Sequence, residues 1–159
     1  MKICIIYSTR RGSTRKVVRI MAEAIRDSAE VRVSHVKENP EIKNCDLIIV
    51  GAPIYYESPL AEVREFITQH NGLEGKKVAV FILCIADRFG KFGKRYTERR
   101  YINTMCKLVK GEIIARKVFD GWILNENEKT LVEAGKWAKR VVEALKHGEV
   151  IQGIEHSGG

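Results

Sequence analysis

Residues 2–14 read Lys2-Ile3-Cys4-Ile5-Ile6-Tyr7-Ser8-Thr9-Arg10-Arg11-Gly12-Ser13-Thr14. Lys2–Tyr7 is an unbroken apolar strand. Ser8–Thr14 is a turn of hydroxyls around one glycine. Thr14–Ser28 then carries Val17, Val18, Met21, Ala22 and Ile25 on one helical face. A loop that leaves a strand and opens a helix offers successive backbone N–H groups at the positive end of the helix dipole. Hydroxyls beside those groups suit a dianionic phosphate, and glycine lets the backbone approach it closely. The spacing is neither the GxxxxGK[ST] of a Walker A loop nor the Rossmann GxGxxG.

Outward from this stretch, strand and helix alternate to the end of the chain. Val31–Val36 alternates apolar and polar residues. Leu47–Gly51 and Val78–Leu83 are continuous apolar runs. Ser58-Pro59 predicts an N-cap and first helical residue, with Leu60, Val63, Phe66 and Ile67 facing inward. Tyr96–Lys110 predicts a third helix, Ile113–Phe119 a fifth strand and Glu128–His147 a last helix stopped by Gly148.

Strands buried on both faces read as unbroken apolar runs, whereas edge strands alternate. The first, third and fourth strands are unbroken, so the second and fifth belong at the edges. The expected fold is α/β, a three-layer sandwich with a five-stranded parallel sheet in the order 2-1-3-4-5. Residues 1–148 form the expected domain, and residues 149–159 a flexible C-terminal tail. A length of 159 residues fits one domain by the usual ~100–200 residues each. Ligands of such sheets sit beyond the carboxyl ends of the strands, at the switch point between strands one and three. The loops that matter are therefore 8–14, 51–58 and 83–95.

At 45% hydrophobic and 30% charged, the chain can build a core. No apolar run approaches the ~20 residues of a membrane span, and no secretory signal is evident, so a cytoplasmic protein is expected. Cys4, Cys45, Cys84 and Cys106 form no CxxC pair, which gives a zinc site no support; free, mostly buried thiols are expected. The formal charge is +8, and the segment 88–117 alone supplies it, with ten basic residues against Glu98 and Glu112. An electrostatic partner is thereby localised to one region. None of His35, His70, His147 and His156 lies in a ligand loop, so no catalytic acid or base and no metal ligand is nominated.

Tyr7-Ser8-Thr9-Arg10-Arg11-Gly12-Ser13-Thr14-Arg15, together with Gly51-Ala52-Pro53-Ile54-Tyr55-Tyr56, resembles the flavodoxin family. Thr9, Gly12, Ser13 and Thr14 fall on the family's [ST]-x-[ST]-G-x-[ST] loop, which grips the phosphate of FMN. Arg10 and Arg11 stand where small polar residues are usual. The Ser-Thr-Arg-x-Gly-x-Thr-Arg form is similar to the branch containing menaquinone-dependent protoporphyrinogen IX dehydrogenase, as is Gly-Ala-x-Ile-x-Tyr. The resemblance implies a flavodoxin-like fold and FMN as cofactor. It implies that Thr9, Arg10, Arg11, Gly12, Ser13 and Thr14 hold the phosphate. It further implies that Ala52, Pro53, Ile54, Tyr55 and Tyr56 lie along the isoalloxazine, and that Leu83, Cys84, Ile85 and Ala86 meet its pyrimidine edge. Two departures stand out. That branch carries a long basic and apolar insertion before the last helix, whereas here Phe119-Asp120-Gly121-Trp122 runs almost directly to Asn127-Glu128. Electron-carrying flavodoxins are usually acidic, and this chain is basic.

The leading expectation is an FMN-dependent oxidoreductase, with protoporphyrinogen dehydrogenase-like activity in view. The alternative is a non-enzymatic electron carrier docking on an acidic redox protein. In either case the partner is an anionic substrate or acidic protein near segment 88–117. A nucleic-acid binder using that segment, with Phe89, Phe92, Tyr96 and Tyr101 interleaved, is a third class; it leaves the loop 8–14 without a purpose. Membrane contact is at most peripheral, since no amphipathic anchor is evident. A phospho-receiver domain shares the topology but needs acids after strand one and an Asp ending strand three, where this chain has Ser8 and Gly51. The sequence does not fix an oligomeric state.

Overall fold

The computed structural model describes residues 1–54, 57–85 and 90–157. The strands are β1 (Lys2–Tyr7), β2 (Glu30–His35), β3 (Leu47–Ile54), β4 (Lys77–Cys84), β5 (Glu112–Asp120) and β6 (Glu155–His156). The helices are α1 (Ser13–Ile25), α2 (Glu57–Gln69), α3 (Gly90–Cys106) and α4 (Glu128–His147). All neighbouring strands are parallel, in the order β2-β1-β3-β4-β5-β6.

The apolar runs divide residue by residue between two cores, because successive side chains of a strand point to opposite faces. Ile3, Ile5, Leu47, Ile49, Ala79 and Phe81 meet α1 and α4. Ile6, Ile48, Val50, Val78, Val80 and Ile82 meet α2 and α3. The α1/α4 side is centred on Phe81, Phe119 and Trp137, whose rings meet edge to face with centroids 5.8–6.1 Å apart. Gly51 makes this possible, since a Cβ there would lie 2.0 Å from the Phe81 ring.

The expected five-stranded sheet with a frayed tail is corrected: the sheet has six strands, and the segment after α4 supplies the sixth. Ile151 N–H donates to Ile114 O at 2.8 Å, and Ser157 N–H to Val118 O at 3.0 Å. Polar contacts clamp this short strand from both faces. On the α4 side Arg140 reaches Glu155 at 2.5 Å, and Ser157 Oγ donates to Glu133 at 2.6 Å. On the α3 side His156 Nδ1 lies 2.6 Å from Glu98 Oε2. Hydropathy patterns register apolar burial, so a two-residue strand held by polar side chains escaped them.

The expectation of four free thiols is also corrected. Cys4 and Cys45 form a disulfide, with Cα atoms 5.9 Å apart and a sequence separation of 41. Asp46 N–H donates to Lys2 O at 2.8 Å, which draws the approach to β3 alongside β1 and brings the two sulfurs together. Cys84 and Cys106 take part in no disulfide.

Two helix limits shift. α2 begins at Glu57, so Ser58 lies within it and Pro59 falls in the first turn, where a missing N–H costs nothing. α3 spans Gly90–Cys106 rather than Tyr96–Lys110. Glycines at 90 and 93 hid its start. Its end is set by Lys110 N–H, which donates to Gly72 O at 2.6 Å and turns the chain into β5. The last helix keeps its expected limits, with Asn127 capping Thr130 N–H at 3.2 Å and Gly148 at φ 65° ending it. Among the described residues no helix is long and apolar enough to cross a membrane.

Candidate functional site

The carboxyl ends of β1, β3 and β4 open at one end of the sheet, and the loop 8–14 lies over the β1/β3 switch point. Ser8 N–H donates to Gly51 O at 3.2 Å, joining the first loop to the end of β3. Gly12 takes φ 92°, a left-handed conformation that glycine adopts freely, and nothing lies within 4 Å of where its Cβ would be. Its N–H donates to Thr9 Oγ1 at 3.0 Å, so the loop folds back on itself. The chain then enters α1 directly, and Lys16 N–H reaches Gly12 O at 3.1 Å.

The start of α1 suits an anion in three ways. No side chain caps its amides, and its first turn holds no acid. That turn carries Arg15 and Lys16, cations at the positive end of a helix dipole, an arrangement that a bound anion relieves. Thr14 is fully buried and its Oγ1 has no hydrogen-bond partner. An unsatisfied buried hydroxyl costs ~1–3 kcal/mol, and a phosphate oxygen would supply the missing acceptor. The residues present therefore fit a phosphate group. Ser13 is buried beside Thr14, whereas Arg10 and Arg11 are exposed at the rim.

Tyr7, at the end of β1, accepts from Arg15 Nε at 3.2 Å and meets the His35 ring edge to face at 5.3 Å. Sequence reading did not single out this trio, because it joins three elements. The His35 pKa is lowered, first by burial. Glu62 and Glu38 oppose the shift, while Lys37 and Arg15 reinforce it. Neutral His35 accepts the Lys37 N–H at Nδ1 over 3.1 Å.

Of the other expected ligand residues, Ala52, Pro53 and Ile54 form the end of β3, and Leu83 and Cys84 the end of β4, with Ile85 just beyond. Backbone pairing sets Pro53 opposite Leu83 and Ile54 opposite Cys84, so the two segments share one edge. Gly121 N–H donates to Cys84 O at 3.1 Å, placing the end of β5 beside them. Tyr55, Tyr56 and Ala86 lie outside the described residues. His156, expected in a solvated tail, is instead the partner of Glu98, itself only 2% exposed.

A flavodoxin domain family model matches residues 4–140. Protoporphyrinogen IX dehydrogenase [quinone] of Escherichia coli (strain K12) is 33% identical over 73 residues, which cover 44% of this chain and 40% of that protein. Flavodoxin of Clostridium saccharobutylicum is 30% identical over 87 residues, covering 51% of this chain and 54% of that protein. The matched segments thus span about half, or less, of the length of these curated relatives. Among solved structures, Fusobacterium nucleatum flavodoxin bound to flavin mononucleotide superimposes with TM-score 0.63 at 16% identity, covering 89% of this chain and 97% of that one. A flavodoxin from the domain Archaea gives TM-score 0.63 at 18% identity, covering 92% of this chain and 100% of that one. At such identities these structures speak for the fold, and the family match speaks for descent: the chain belongs to the flavodoxin domain family.

Proposed function

We propose that this protein binds FMN and transfers electrons through it. The observation that carries the reading is the anion-ready start of α1, with left-handed Gly12, uncapped amides and the buried, unpartnered Thr14 hydroxyl at the switch point. When bound, the flavin supplies the redox chemistry. Thr9, Gly12, Ser13 and Thr14 would hold its phosphate, and Arg10 and Arg11 would lend positive charge at the rim. The ends of β3 and β4 would line the ring. The loop 9–14 is built for a terminal phosphate, which favours FMN over FAD. Titration with each flavin tests this: FMN should bind and quench its fluorescence, with FAD at least tenfold weaker. Equal affinity for both would overturn the phosphate assignment.

Within this reading an electron carrier is favoured over a dehydrogenase. Residues 121–127 alone join β5 to α4, and they are tethered rather than free to enclose a large substrate. Thr130 Oγ1 donates to Asp120 O at 2.5 Å, and Lys16 pairs with Glu126. The second reading, oxidation of protoporphyrinogen with a quinone as acceptor, rests on the 33% identity to the E. coli dehydrogenase. An anaerobic assay of protoporphyrinogen oxidation by the FMN-loaded protein with a soluble quinone separates the two. Turnover would favour the enzyme, and none would favour the carrier.

A further inference from the structure

We propose that the outer face of α3 is the docking surface for an acidic electron-transfer protein. The identity of the partner as a redox protein rests on the flavin reading; the docking surface itself does not. α3 follows the third ligand loop and begins at Gly90, at the same end of the sheet as the loop 8–14. Its inner face is fixed by buried Ile102 and Met105. Its outward residues Arg95, Tyr96, Arg99 and Arg100 are exposed, as are Lys107 and Lys110 just past its end.

The charge on this face is uncancelled. α3 contains one acid, Glu98, and that carboxylate is turned inward onto His156. None of the six outward residues makes an ion pair with a described residue. Elsewhere several cations do have local acids: Lys16 with Glu126, Arg26 with Glu23, Lys37 with Glu62, Arg140 with Glu155 and Lys146 with Glu143. Within segment 88–117, which supplies the +8, α3 alone holds five basic residues against Glu98.

The residue types point to a protein. Arg presents a rigid fork that matches carboxylates two bonds at a time. Tyr and Arg are also the types that concentrate binding energy at protein interfaces. Tyr96 is 70% exposed in the midst of the arginines, so folding buries little of its ring. A bilayer would require an apolar anchor, and Tyr96 is the one large exposed hydrophobic residue among the described residues of α3. An acidic redox protein seated there would bring its own centre to the flavin edge.

The probe is a plant-type [2Fe–2S] ferredoxin, strongly acidic, with binding read by anisotropy of a fluorescent label on both apo and FMN-loaded protein. Arg99→Glu with Arg100→Glu should weaken binding by about tenfold or more at 50 mM salt and have little effect at 500 mM, as screening predicts. Lys136→Glu with Lys139→Glu, an equal change of charge on exposed residues of α4, should leave binding within about twofold. Equal losses in the two double variants would overturn the proposal by reducing the effect to net charge. So would unchanged binding of the α3 variant. Tighter, equally Arg99/Arg100-dependent binding of an RNA oligonucleotide or of phosphatidylglycerol vesicles would also overturn it. Flavin titration of the same samples keeps the questions apart: ferredoxin binding without any FMN uptake would sink the flavin reading and leave the docking surface standing.

Discussion

Thr14→Val tests the phosphate site with a paired signature. The substitution keeps the shape of the side chain and removes only the hydroxyl. In the apo protein that hydroxyl is buried with no partner. Relieving it should stabilise the apo fold by about 1 kcal/mol, from the ~1–3 kcal/mol penalty of an unsatisfied polar group. For a chain of this size the melting temperature should rise by about 2–4 °C. With FMN present the sign reverses. A hydrogen bond to a charged group contributes ~1.5–3 kcal/mol, so losing it should weaken FMN about 10- to 150-fold. Thermal unfolding of the apo form and fluorescence titration with FMN read the two halves. A variant that binds FMN as tightly as the parent would show that Thr14 does not meet the phosphate, as would one whose apo form is destabilised.

Three further outcomes follow from the geometry. Denatured, unreduced protein should titrate two thiols, Cys84 and Cys106. Cys45→Ser should lower stability by roughly 4 kcal/mol, the loop-closure value for a 41-residue separation, or about 8–16 °C in melting temperature; four titrating thiols would contradict this. Because the His35 pKa is lowered on folding, the unfolded chain takes up the proton first. Stability should therefore hold above the unfolded value of ~6.5 and fall as pH drops through it. His35→Asn keeps an acceptor for Lys37 N–H and should flatten that acid limb between pH ~7 and ~5; an unchanged slope would remove His35 from the account. Finally, His156→Ala removes the hydrogen bond that ties the C-terminal strand to Glu98 of α3 and should cost about 1–3 kcal/mol in urea unfolding. No change in that variant would mean that the C-terminal strand does not hold α3.

The sequence carried the doubly wound order because each central strand is buried on both faces, so that Ile3–Tyr7, Leu47–Val50 and Val78–Leu83 are apolar without interruption. The phosphate loop was legible for a related reason: strand, glycine, hydroxyls and helix start are all neighbours in sequence, and local geometry follows from local residues. Features closed by distant or polar contacts were not legible. The disulfide depends on β1 and β3 becoming neighbours. β6 is held by Arg140, Glu133 and Glu98, residues with no apolar signature. The early start of α3 lies in a stretch of glycines and lysines whose own propensity argues against a helix. The Tyr7–Arg15–His35 contact needs β1, α1 and β2 all in place.

Flavin uptake by the purified protein is the decisive measurement. Its absorption spectrum after addition and removal of excess FMN should show bound flavin bands in stoichiometric amount. The cofactor released on denaturation should have the mass of FMN, and Thr14→Val should retain markedly less of it. A colourless protein that neither retains FMN nor alters its fluorescence on titration would show that loop 8–14 holds no flavin phosphate.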